Sequence, residues 1–245
     1  MSDPSAAPAA PAWGTGFRRP LLVAVLTTGL VTALSYGLPD RYAATGVGVA
    51  FLAVTWFVAL RRDEDNTRAR HFGLSLGGVL ETEPLSWRRI GGDALRAVGW
   101  ALLVAAIVYP LFWGAWVWWW KPPHGFVPAP PPSLGNDVLG QLIVIALPEE
   151  AFYRGYLQTA FDDAFRFRVR VLGAELGPGL LIASALFALG HICTEVNVNR
   201  LAVFFPALIF GWLRCRTRGI GAGLTLHAMS NLLTAYLAHS YGLMH

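Results

Sequence analysis

The chain of 245 residues is 55% hydrophobic and only 14% charged, with a mean hydropathy of +0.48. Soluble domains carry about a quarter charged residues, so this composition excludes an ordinary water-soluble domain. It points to an all-α, polytopic transmembrane helical bundle. The net charge of +4 comes from arginines at the ends of apolar runs, which is a topology signal and not a nucleic-acid footprint. The expected partner is a lipid bilayer, with no nucleic acid.

Residues 1–17, rich in Ala and Pro, read as a disordered cytoplasmic tail, and 18–245 as a single membrane-embedded domain. Arg18-Arg19 before an apolar run resembles a signal sequence. Further spans follow and no cleavage site ends the first, so it reads as a retained first helix. About seven spans are expected, each near the ~20 residues a helix needs to cross a bilayer. They are Pro20–Leu38, Tyr42–Leu60, Ala94–Trp116, Asp137–Phe161, Gly179–Cys193, Leu201–Leu213 and Ile220–His239.

The loops alternate in charge. Arg18 and Arg19; Arg61, Arg62, Arg68, Arg70, Arg88 and Arg89; Arg166, Arg168 and Arg170; and Arg214, Arg216 and Arg218 all fall on one side if every span crosses once. Arg41, Lys121 and Arg200 fall on the other. The positive-inside rule then makes the N-terminus cytoplasmic. Trp113, Trp116, Trp118, Trp119 and Trp120 would mark the outer interface, and Lys121–Pro132 a stiff external loop. Lys121 is the only lysine, which points to a GC-rich bacterial genome and a bacterial inner membrane.

Two lesser features have plain readings. Gly73-Leu74-Ser75-Leu76-Gly77 matches G-x-S-x-G but lacks the strand-to-helix context of a serine elbow. It reads as an amphipathic stretch at the membrane surface. Cys193 and Cys215 give no metal spacing and no disulfide framework. Cys193 reads as a small buried residue.

Ionisable groups inside apolar spans are costly and mark function, and three short motifs bring such groups here. Span four carries Glu149-Glu150-x-x-x-Arg154, span five Phe187-x-x-x-His191, and span seven His227-x-x-x-Asn231. On a helix Glu150 and Arg154 share a face and can pair. Glu149 is rotated away from them and left available as a base, with Tyr153 one turn on along its side. Glu149 would deprotonate a water, with His191 helping to position or share its proton. His227 and Asn231 would donate to the oxyanion of a tetrahedral intermediate. Glu150, Arg154, Tyr153 and Phe187 support the set. Each motif alone also suits a polar clamp or an interhelical hydrogen bond.

This order of motifs resembles the CAAX-protease and bacteriocin-processing family, also called CPBP or Abi. Its pattern stands here as Pro148-Glu149-Glu150-Ala151-Phe152-Tyr153-Arg154-Gly155, Phe187-Ala188-Leu189-Gly190-His191 and His227-Ala228-Met229-Ser230-Asn231. The resemblance covers a motif core of 136–240. It implies a glutamate-dependent intramembrane endopeptidase, with Glu149 as the activating carboxylate, His191 its partner, and His227 with Asn231 the oxyanion pair. It implies no cofactor and no metal. The implied substrate is a membrane-anchored protein with a C-terminal tail, processed as a CAAX-like end or, as in the similar myxosortases, a sorting tail. Three alternatives stay open. One is a zinc protease using Glu149 or Glu150 with His191 and His227. The others are a transporter with a buried proton relay and a catalytically silent relative. The arginine-based orientation puts Asn231 roughly 16 Å along its span from Ile220, so the site is expected to open to the extracytoplasmic half.

Overall fold

A computed structural model describes residues 16–61, 63, 65–130 and 134–243. Most of the expected N-terminal tail, together with Arg62, Pro131 and Pro132, lies outside the described residues. The long helices are α1 (Arg18–Gly37) and α2 (Asp40–Leu60), then, after the short α3 (Thr67–His71), α4 (Trp87–Trp120) and α5 (134–165). After a hairpin come α6 (Pro178–Thr194), α7 (Val198–Thr217, opening with a 3-10 stretch Val198–Val203) and α8 (Gly221–Ser240). The seven expected spans coincide in position with the seven long helices, and the fold is an all-α membrane bundle. By length and apolar composition α1, α2, α4 and α7 qualify to cross a membrane, and α6 is a shorter apolar helix. The hairpin, β1 (Val169–Val171) with β2 (Ala174–Leu176), pairs Arg170 with Glu175 across its strands.

Helix α4 starts earlier than its apolar run suggests. Ser86 caps it by accepting from the Arg89 amide, so Arg88 and Arg89 ride on its first turn and not in the preceding loop. At 34 residues it is about 51 Å long, well beyond the ~30 Å hydrocarbon layer. The tryptophans near its end divide. Trp116 is buried and Trp113 donates to the Tyr241 hydroxyl at 3.0 Å, which fastens α4 to α8. Trp118, Trp119 and Trp120 are exposed.

The placement of the motif in α5 depends on Pro148. Proline lacks the N–H that would bond the carbonyl four residues back, which is that of Val144. There α2 closes in: a Cβ on Gly48 would lie 2.6 Å from the Val144 oxygen, so only glycine fits. The helix widens on both sides of this point into π-helical stretches, Gly140–Ala146 and Ala151–Gln158. Such turns concentrate at functional sites. Every residue of Ala151–Gln158 is buried, so α5 is the axis on which α2, α6, α7 and α8 pack.

The segment 73–77 corrects its surface reading. Leu74 is 1% exposed, packed against Gly155 of α5, and the Gly73 carbonyl accepts from the Ile220 amide at 3.0 Å. The Ser75 hydroxyl donates to Glu81 at 2.6 Å. Apolar packing against α5 claims Leu74. Cys193 is also corrected: it is exposed on the last turn of α6.

Candidate active site

Helices α5 and α8 bring Glu150, Arg154 and His227 to one buried point, and α6 sets Phe187 against them. Glu150 is 0% exposed, Arg154 1% and His227 5%. The expected Glu150–Arg154 pair is present, Nε to Oε2 at 3.4 Å. Glu150 also accepts from His227: Nδ1 to Oε1 is 2.9 Å. Its carboxylate rests on Gly223 of α8, where a Cβ would stand 3.1 Å away.

Glu149 is not turned away from this group. Its Oε2 lies 3.7 Å from Nε2 of the same imidazole. Successive helical residues diverge by about 100°, and the imidazole, with nitrogens on opposite edges, fits between the two carboxylates. Glu150 thus holds one nitrogen and Glu149 faces the other. The Glu149 side chain keeps 15% exposure, and Oε2 has no hydrogen-bond partner.

Aromatic rings build the walls. Phe210 of α7 stacks on His227 with centroids 4.9 Å apart and planes 13° from parallel. Phe187 meets His227 edge-on at 5.9 Å and His191 at 4.3 Å. The Arg154 guanidinium lies 4.2 Å from the Phe187 ring and 5.5 Å from Phe210, a cation–π arrangement. Its Nη1 and Nη2 have no hydrogen-bond partner. Tyr153 packs its ring against Phe187 at 5.0 Å, with its hydroxyl beside Gly190. Its ring therefore forms part of the wall of the site.

Nδ1 of His191 lies 2.9 Å from the Phe187 carbonyl. A carbonyl only accepts, so Nδ1 carries the proton and the neutral ring keeps a lone pair on Nε2. Among the described residues His191 makes no direct hydrogen bond to Glu149 or His227. Asn231, one turn beyond His227, donates from Nδ2 to Oε1 of Gln141 at 2.8 Å. Gln141 and Phe210 are the site residues that motif reading missed. A lone amide in the apolar run 140–147 was the available signal for Gln141; Phe210 had none. Among the described residues, no three His, Cys, Asp or Glu side chains group so as to hold a metal ion.

Fold and site together define an all-α membrane bundle with two carboxylates, an imidazole and a guanidinium gathered inside it. Residues 131–233 match the family described as Type II CAAX prenyl endopeptidase Rce1-like. That segment holds all three motifs, so the resemblance to CAAX proteases holds over the part of the chain that builds the site. A CAAX-type membrane endopeptidase is the activity class it supports. No curated protein and no solved structure matches the chain.

Proposed function

We propose that the protein is a glutamate-dependent intramembrane endopeptidase with Glu149 as its general base. The observation that carries this reading is Oε2 of Glu149, buried without a hydrogen-bond partner on a side chain that is still 15% exposed, facing an imidazole locked from behind by Glu150. With His227 protonated, two carboxylates balance one imidazolium and one guanidinium, so the sealed group is neutral.

Glu149 takes a proton from a water that the free Nε2 of His191 helps to orient. The resulting hydroxide attacks the scissile carbonyl. Nε2–H of His227 and an Asn231 N–H stabilise the oxyanion. The proton on Glu149 then passes to the departing amine as the C–N bond breaks, which returns the site to its starting charge. His227 needs Nδ1–H on Glu150 to present Nε2–H forward, and Gln141 fixes which way the Asn231 amide points. No metal takes part in this scheme.

The substrate we propose is a membrane-anchored protein trimmed near its C-terminus, as a CAAX-like end or a myxosortase-type sorting tail. The protein would sit in a bacterial inner membrane with its N-terminus cytoplasmic and its site open to the extracytoplasmic half. Membrane and secreted proteomes of deletion and Glu149→Ala strains test the function: both should retain the same C-terminal tail. Proteomes indistinguishable from wild type would reject it. Orientation is tested in a Cys193/Cys215-free background. Asn197→Cys should react with an impermeant thiol reagent from outside and Thr217→Cys should not; reversed labelling moves the cleavage to the cytoplasmic face.

A further inference from the structure

The hairpin between α5 and α6 is built unlike the other loop at the arginine-rich end of the bundle. In the segment 61–89, Arg70 and Arg89 are both paired with Glu81 and Glu83. In residues 165–176, arginine alternates with apolar residues, and Glu175 is the only acid. Phe165 is 47% exposed, Phe167 60%, Val169 48% and Leu172, at the turn, 83%. Arg166 and Arg170 are exposed between them, with Arg216 and Arg218 nearby at the end of α7. None of these four arginines forms a carboxylate ion pair among the described residues.

The hairpin is held in place despite its exposure. Trp212 donates through Nε1 to the Val171 carbonyl at 3.1 Å. Arg168 donates to the Asp162 carbonyl at 2.8 Å, and the Asp162 carboxylate accepts from the Gly179 amide at 2.8 Å, which ties both ends of the hairpin to helix termini. Phe165 stacks on Phe17, next to Arg18 and Arg19. A fixed surface therefore presents exposed apolar side chains beside Arg166, Arg170 and Arg218, with the Arg216 guanidinium 4.8 Å from the Trp100 ring.

We infer that the β1–β2 hairpin, with Arg216 and Arg218, is a docking surface for anionic phospholipids. The guanidinium groups take the phosphate of the headgroup, whose geometry suits their paired donors, while Leu172, Phe167 and Val169 rest among the acyl chains. A neutral lipid offers the same apolar contact without net charge, so the surface selects by headgroup. This rests on the hairpin and the end of α7 and is independent of the proposed catalysis.

Native mass spectrometry of the full-length protein released from nanodiscs of equimolar phosphatidylglycerol and phosphatidylcholine tests this. Wild type should retain phosphatidylglycerol in preference. The triple variant Arg166→Gln/Arg170→Gln/Arg218→Gln should lose that preference, by roughly fivefold per arginine removed. Arg41→Gln, on α2 away from the hairpin, should keep it. Thermal unfolding of each variant is measured alongside, and Arg170→Gln alone carries the test if the triple variant is unfolded. An unchanged lipid preference in the folded arginine variant overturns the inference. So does full displacement of phosphatidylglycerol by inorganic phosphate, which would make the surface a simple anion site.

Discussion

Two groups of carboxylates and guanidiniums can be compared directly. In the loop cluster, Glu81 accepts from Ser75, Arg70 and Arg89, and Glu83 from Arg70 and Arg89. The cluster's acceptors are occupied and its arginines are partly exposed. In the core group, Glu150 and Arg154 are sealed, yet Oε2 of Glu149 and of Glu150 and both Nη atoms of Arg154 have no hydrogen-bond partner. Buried polar atoms without partners cost stability, and a fold keeps them where something else requires them. The loop cluster pairs its carboxylates; the core group leaves buried polar atoms without partners.

Cutting each group separates them. Arg154→Ala leaves Glu150 buried beside Gly223 with one partner fewer, and about 3–5 kcal/mol of stability should be lost. Thermal unfolding in detergent measures this, and a loss comparable to that of a surface substitution would place the two groups in one class. Gln141→Leu should unfold normally but lose about 10-fold or more in kcat at unchanged KM, because the Asn231 amide is no longer aimed. Gln141→Glu restores an acceptor, so activity should recover at neutral pH and fall on an added acidic limb. A pH profile of the three proteins on the same substrate decides it.

Activity of purified protein should survive chelation. Stoichiometric zinc, with activity lost to chelators and restored by zinc, would favour the metal alternative. The smallest effect belongs to the loop. The hydrogen bond from Arg70, with those from Ser75 and Arg89, holds the Glu81 carboxyl down at about 2 from its ordinary 4.5. A depressed carboxylate stabilises the fold fully above its unfolded value and loses that contribution as pH falls through the folded one. Glu81→Gln should therefore flatten the acid dependence of stability between those values while leaving activity at neutral pH unchanged.

Much of this architecture was legible in the sequence. Apolar runs set the helices because every backbone polar group in lipid must be bonded within its own segment. The i,i+4 spacing set Glu150 beside Arg154, and it put Phe187 with His191 and His227 with Asn231 on shared helix faces. What could not be read was how neighbouring helices meet. The approach of Gly48 to the carbonyl freed by Pro148, the stacking of Phe210 on His227 and the Asn231–Gln141 bond all join residues far apart in the chain. The wheel likewise separated Glu149 from Glu150, because it treats one helix and not the imidazole a second helix inserts between them. Residues 73–77 misled for the same reason: their glycines and Leu74 are explained by Gly155 and Ile220, not by local pattern.

The central claim is that the two adjacent glutamates divide the work, Glu149 in chemistry and Glu150 in holding His227. Glu149→Gln and Glu150→Gln, purified and assayed on the protein whose tail is retained in the Glu149→Ala strain, test it most directly. Glu149→Gln should unfold at the wild-type temperature and lose activity by about 10²–10⁴-fold, while Glu150→Gln should lose both stability and activity. Full activity in folded Glu149→Gln would contradict the account.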